Sequence, residues 1–76
     1  MKYQDFMIDY CLFLITKFEF NRDEATENAN SWWNKLVIEH DEQIVSFRVN
    51  KRGNPSIQTL KPFLGELHEI PLSGML

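Results

Sequence analysis

The chain has 76 residues, enough for one domain and too few for a second. Its composition, 43% hydrophobic and 25% charged, excludes a disordered or fibrous chain. A net charge of −3 excludes a general attraction to nucleic acid or anionic lipid, and the single cysteine, Cys11, excludes an intrachain disulfide.

The first segment, from about Lys2 to Lys17, carries Tyr3, Met7, Tyr10, Leu14 and Phe18 at spacings of three and four, the period of a helix. Around Leu12–Ile15 this helix is apolar on most sides, so it is expected to be buried or covered. Asn21 then reads as an N-cap with Glu24 three residues on, as in a capping box, and Phe20 precedes it as one half of a hydrophobic staple on Ala25. Ala25, Ala29, Trp32 or Trp33, and Leu36 form the inward stripe of this second helix, which ends near His40. The adjacent tryptophans lie about 100° apart on a helix, so one is expected in the core and the other at its rim.

The period then changes to two. Val45, Phe47 and Val49 alternate with Ser46, Arg48 and Asn50, a half-buried strand with the apolar set inward. Lys51–Pro55 is a turn in which Gly53 supplies positive φ, and Ile57–Leu60 is the returning strand. Two readings stay open for the tail, a short helix after Pro62 or a third strand over Glu66–Ile70. Gly65 and Pro71 favour the strand. The fold expected is α+β, with two antiparallel helices packed on a small antiparallel sheet and residues 1–76 forming one domain.

Signals for chemistry are weak. Cys11 sits in an apolar run with no basic neighbour and reads as a small buried hydrophobe. Ser31, Ser46, Ser56 and Ser73 sit in no nucleophile elbow. His40-Asp41-Glu42 and His68-Glu69 are the only clusters with any metal-ligand character, and neither has the spacing of a site. The expectation is a protein with no catalytic residues, no metal and no cofactor. The longest apolar run, Tyr10–Ile15, is far short of the roughly 20 residues that span a bilayer. Asp5 and Asp9 spoil a secretory signal. The expected location is the cytoplasm, without membrane partners.

The charges are unevenly placed. Residues 1–42 carry four basic and nine acidic side chains, and residues 43–76 carry four basic and two acidic. The acidic helical half, with Asp23, Glu24 and Glu27 beside Trp32 and Trp33 as anchors, suits a partner protein with a basic surface. The function expected on this reading is a non-enzymatic binding module, an inhibitor or adaptor acting by surface occlusion. The alternative is a small nucleic-acid-associated regulator, with Arg48, Lys51, Arg52 and Lys61 gathered about one turn to hold phosphates. In size, charge and lack of catalytic signals the chain resembles small phage or plasmid accessory proteins, a likeness that rests on no motif. Burial and chain ordering nearly cancel at this length, so the ten aromatic side chains are needed inside the fold or inside a partner, and a homodimer is one way to satisfy them.

Overall fold

A computed structural model describes residues 1–72. Ser73 and Gly74 lie outside the described residues. Helix α1 (Tyr3–Phe18) and helix α2 (Arg22–Trp33) are joined by a tight turn and continue into a π-helical segment, Asn34–Glu39. Strands β1 (Gln43–Val49), β2 (Pro55–Leu60) and β3 (Leu67–Pro71) follow and make one antiparallel sheet in the order β1-β2-β3. The fold is therefore α+β, a two-helix layer on a three-stranded meander, and the tail is a strand rather than a helix.

Local chemistry sets each boundary. Glu19 takes the left-handed conformation (φ 57°), and the Phe20 N–H reaches the Leu14 carbonyl at 3.3 Å, closing α1. The capping box forms as expected: Asn21 Oδ1 accepts from the Glu24 N–H at 2.8 Å, and Glu24 Oε1 accepts from the Asn21 N–H at 3.4 Å. Past Trp33 the helix widens. The His40 N–H donates to the Lys35 carbonyl five residues back at 3.2 Å, and the Glu42 N–H to the Leu36 carbonyl at 2.8 Å. Asp41, with φ 53°, then turns the chain into β1.

The core lies between the layers. Phe6, Tyr10, Phe13 and Leu14 of α1 meet Ala25, Ala29, Trp32 and Leu36, and the sheet contributes Ile44 and Ile57, with Leu72 just beyond β3. Phe47 packs edge-on against Tyr10 (5.3 Å between centroids) and Phe13 (5.6 Å). Phe20 is half-buried against this core, as a staple residue would be. On the other face of the sheet, the Ser46 and Ser56 hydroxyls donate to Gln58 Oε1 and Glu69 Oε1, both at 2.9 Å. That face is polar and tolerates water, as one face of an antiparallel sheet can.

Two expectations are corrected. The inward set of β1 is not Val45, Phe47 and Val49. The register slips between Ile44 and Ser46, leaving Val45 unpaired in a bulge, so Ile44 and Phe47 both point inward and Val45 is exposed; Val49, in regular register at the hairpin end of the strand, is exposed as well. The bulge interrupts an edge strand, where it also discourages pairing with another chain. The apolar run of α1 is covered on one side only: Phe13 and Leu14 are buried, while Leu12 and Ile15 are exposed. The first hairpin matches its sequence, with Gly53 at φ 81°. Asn50 reinforces it: its Oδ1 accepts from the N–H groups of Arg52 and Asn54, each at 2.9 Å.

Candidate functional site

The solvent side of α1 carries the first surface of interest. Phe6, Tyr10, Phe13 and Leu14 take the inner side, which sends Ile8, Leu12 and Ile15 outward on successive turns. They are 63%, 59% and 39% exposed. Helical spacing continues this line into exposed Asp5 at one end and sets exposed Asp9 beside Leu12, and exposed Glu19 follows at the other end as the left-handed C-cap. An apolar stripe is thus bounded by carboxylates. The signal was in the sequence as a second 4,3 spacing, but a stripe on each side of one helix reads as burial until the second layer is known to lie on one side only.

The tryptophans are engaged elsewhere. Trp32 is 7% exposed and belongs to the core. Trp33 is half-buried, 5.2 Å from the Tyr3 ring and 5.8 Å from the Phe6 ring, and the Tyr3 hydroxyl bonds Asn30 Oδ1. Each ring is therefore anchored within the fold. Asp23, Glu24 and Glu27 are exposed on α2.

A second surface runs along the flank of α2. A hollow of about 320 Å³ near Phe20, Glu24 and Glu27 shares Asn28 and Ser31 with a smaller one of about 180 Å³. That one shares Trp32 and Lys35 with a hollow of about 420 Å³ bounded by His68 and Ile70 of β3. The last, about 280 Å³, shares His40, Glu42 and Lys61 with it and ends at Phe63 and Leu64 in the β2–β3 turn. They are four separate open hollows: Glu24 and Glu27 line the first, while the last two share Lys61 and Glu42, with Lys35 beside them in one and Asp41 in the other. The Lys35 ammonium lies 5.6 Å from the Trp32 ring centroid. Glu42 is buried in the wall and accepts from the Thr59 hydroxyl at 3.2 Å. Among the described residues His68 Nε2 has no hydrogen-bond partner, and Glu66 Oε2 is 3.6 Å away. No sequence period announces these hollows, because they gather residues from α2, the π-helical segment and the β2–β3 hairpin.

The basic residues do not form one cluster. Arg48, Lys51 and Arg52 are exposed around the first hairpin tip. Lys61 follows Leu60, which pairs with Gln43 at the opposite end of the sheet, so a strand of roughly 20 Å separates it from them. Burial pushes the Cys11 thiol up, opposed by a side-chain hydrogen bond with Thr26, which fits a poor nucleophile. Among the described residues no group of three or more His, Cys, Asp or Glu side chains could hold a metal ion, and no helix is long and apolar enough to cross a membrane. No protein-family model, curated protein or solved structure matches the chain.

Proposed function

We propose that the protein is a non-enzymatic binding module that occludes a surface of a partner protein through its acidic helical layer. One observation carries this reading: Ile8, Leu12 and Ile15 are exposed on successive turns of α1 between Asp5, Asp9 and Glu19. Apolar side chains held open in a small domain favour association, and the carboxylates around them select a partner that is apolar at its centre and basic at its edge. A second copy is the wrong partner. Antiparallel pairing of two α1 helices about Leu12 sets Asp5 of one copy against Glu19 of the other, and parallel pairing sets each carboxylate against its equivalent.

The test uses a synthetic amphipathic helix with leucines on one face and lysines at its margins, titrated at low and high salt. Leu12→Asp is expected to weaken binding at least tenfold while leaving the thermal unfolding midpoint within a few degrees, since the position is exposed. If Leu12→Asp and Ile8→Asp both bind like the parent protein, the α1 surface is not the docking site.

The nucleic-acid reading keeps one supporting observation. Arg48, Lys51 and Arg52 project from one hairpin tip, and none forms an ion pair among the described residues. The two helices behind them offer no comparable basic face.

A further inference from the structure

Of the ten aromatic side chains, Phe63 alone stands clear of the fold. It is 93% exposed and, among the described residues, pairs with no other ring. Tyr3 and Phe18, the next most exposed, are 41% and 43% exposed, and each lies edge-on to another ring. The β2–β3 turn holds Phe63 out. The Leu64 and Gly65 N–H groups both donate to the Lys61 carbonyl, at 3.2 and 3.1 Å, and Gly65 takes φ 63°. Pro62 fixes the first corner of the turn and Phe63 occupies the second, where no strand lies beneath its ring. Exposed Leu64 follows it. Beside the ring lies the open hollow of about 280 Å³ between this turn and His40, Asp41 and Glu42. A cavity of about 150 Å³ holds a ring the size of benzene, so the hollow has room for a phenyl group. Its rim carries both signs of charge: Lys61 on the turn and Asp41 opposite are exposed, and neither forms an ion pair among the described residues. Glu42 is buried and accepts from the Thr59 hydroxyl, which leaves Asp41 as the exposed carboxylate. A rim of one sign selects a partner of the other sign. A rim of both signs, beside a ring and a hollow that can take that ring, complements a copy of itself.

We propose that this end of the molecule joins two copies of the chain, Phe63 of each copy entering the hollow of the other. A two-fold axis makes the contact reciprocal, so each surface residue meets its counterpart's complement twice. Phe63 covers the partner's Glu42 wall, and Lys61 faces the partner's Asp41. The like charges that keep α1 from pairing with itself are absent here, and no α1 residue lines the hollow. Both α1 stripes of the pair stay free. A buried aromatic ring removes roughly 150–250 Å² from water. Two rings therefore supply at most about half of the roughly 1,000 Å² that a specific interface needs, and Pro62, Leu64 and the charged rim supply the remainder. The interface is small and the net charge of −3 on each copy opposes it, so the dimer is weak, with a Kd of about 0.1 mM.

The test is sedimentation equilibrium of the full chain from about 20 μM to about 2 mM, with amide shifts of ¹⁵N-labelled protein followed over the same range. The average mass is expected to rise from 9.1 kDa toward twice that value, with concentration-dependent shifts centred on His40, Asp41 and Glu42 and on the Lys61–Leu64 turn. Phe63→Ala is expected to weaken association at least tenfold, as loss of a central aromatic anchor does. Leu64→Ser is expected to weaken it at least threefold. Lys61→Glu, which sets a carboxylate against the partner's Asp41, is expected to do the same. All three positions are exposed, and circular dichroism melts confirm that the variants fold. Leu12→Asp is expected to leave association unchanged. A chain that stays monomeric up to 2 mM overturns the proposal. Association that survives both Phe63→Ala and Leu64→Ser overturns it as well, and association abolished by Leu12→Asp overturns it by placing the contact on α1.

Discussion

The Tyr10 hydroxyl is buried and donates to Asn28 Oδ1 at 2.7 Å. Burial, with a smaller contribution from Cys11, lifts this phenol well above the ordinary tyrosine range, against a side-chain hydrogen bond with Trp32 that pulls the other way. The fold therefore holds the neutral form more strongly than the unfolded chain does. Stability from this preference is complete below about pH 10, where the unfolded phenol also stays neutral, and drains away as pH rises through and beyond that value. Tyr10→Phe loses the hydrogen bond at neutral pH, a loss of about 1–2 kcal/mol, because Asn28 is left without its donor. It also removes the group that cannot ionise in place. Urea midpoints at pH 8 and pH 11 should differ less for Tyr10→Phe than for the parent protein, so the gap between the two proteins narrows with pH. A gap that stays constant contradicts the assignment. At this scale the sequence was half legible. Tyr10 fell on the inward stripe by spacing alone, whereas its partner Asn28 is polar, periodic with nothing, and identifiable only once the two helices are side by side.

Helix packing turns on two small residues. Ala25 and Ala29 are fully buried in one core cluster with Phe6, Tyr10 and Leu14, and their small size allows the close approach of α1 to α2. Ala29→Leu forces several extra carbons into a filled site and should destabilise the protein by about 1–3 kcal/mol, lowering the urea midpoint without loss of helix content. An unchanged midpoint would mean that the helices can separate freely. The elements themselves were well marked in the sequence: the capping box and the glycine turn are local signals that formed where they were expected, and the change of period from 3.6 to 2 marked where the sheet begins but not which side chains of β1 face inward. Two features escaped because their causes are not local. The π-helical widening at Asn34–Glu39 is held by the His40 and Glu42 N–H groups reaching back to the Lys35 and Leu36 carbonyls, and no residue type marks it in the sequence. The bulge at Val45 lets Ile44 and Phe47 both face the core, which strict alternation forbids. The candidate surfaces divide the same way, with the α1 stripe visible as spacing and the hollows beside α2 visible only as packing.

The distribution of charge acts over the whole molecule. Nine carboxylates crowd the first 42 residues, while Arg48, Lys51 and Arg52 stand at a hairpin tip on the sheet. Such a separation steers a basic partner toward the helical layer and repels it from the hairpin. Reversing two charges at the tip, Lys51→Glu with Arg52→Glu, moves the formal net charge from −3 to −7, two charges per substitution. Both side chains are exposed, so the stability change should stay within about 0.5 kcal/mol. The association rate of the lysine-edged helical peptide should then rise severalfold at roughly 0.02 M salt. At 0.5 M salt, with screening over only a few ångströms, it should match the parent protein. The dissociation rate should not change, because the tip does not touch the α1 stripe. Stopped-flow fluorescence separates the two rates. The same variant examined with a short DNA duplex discriminates the two functional readings. If the tip holds phosphates, duplex binding is lost and the parent protein's affinity falls steeply with salt. If the helical layer is the working surface, the duplex binds neither protein and only the peptide on-rate responds.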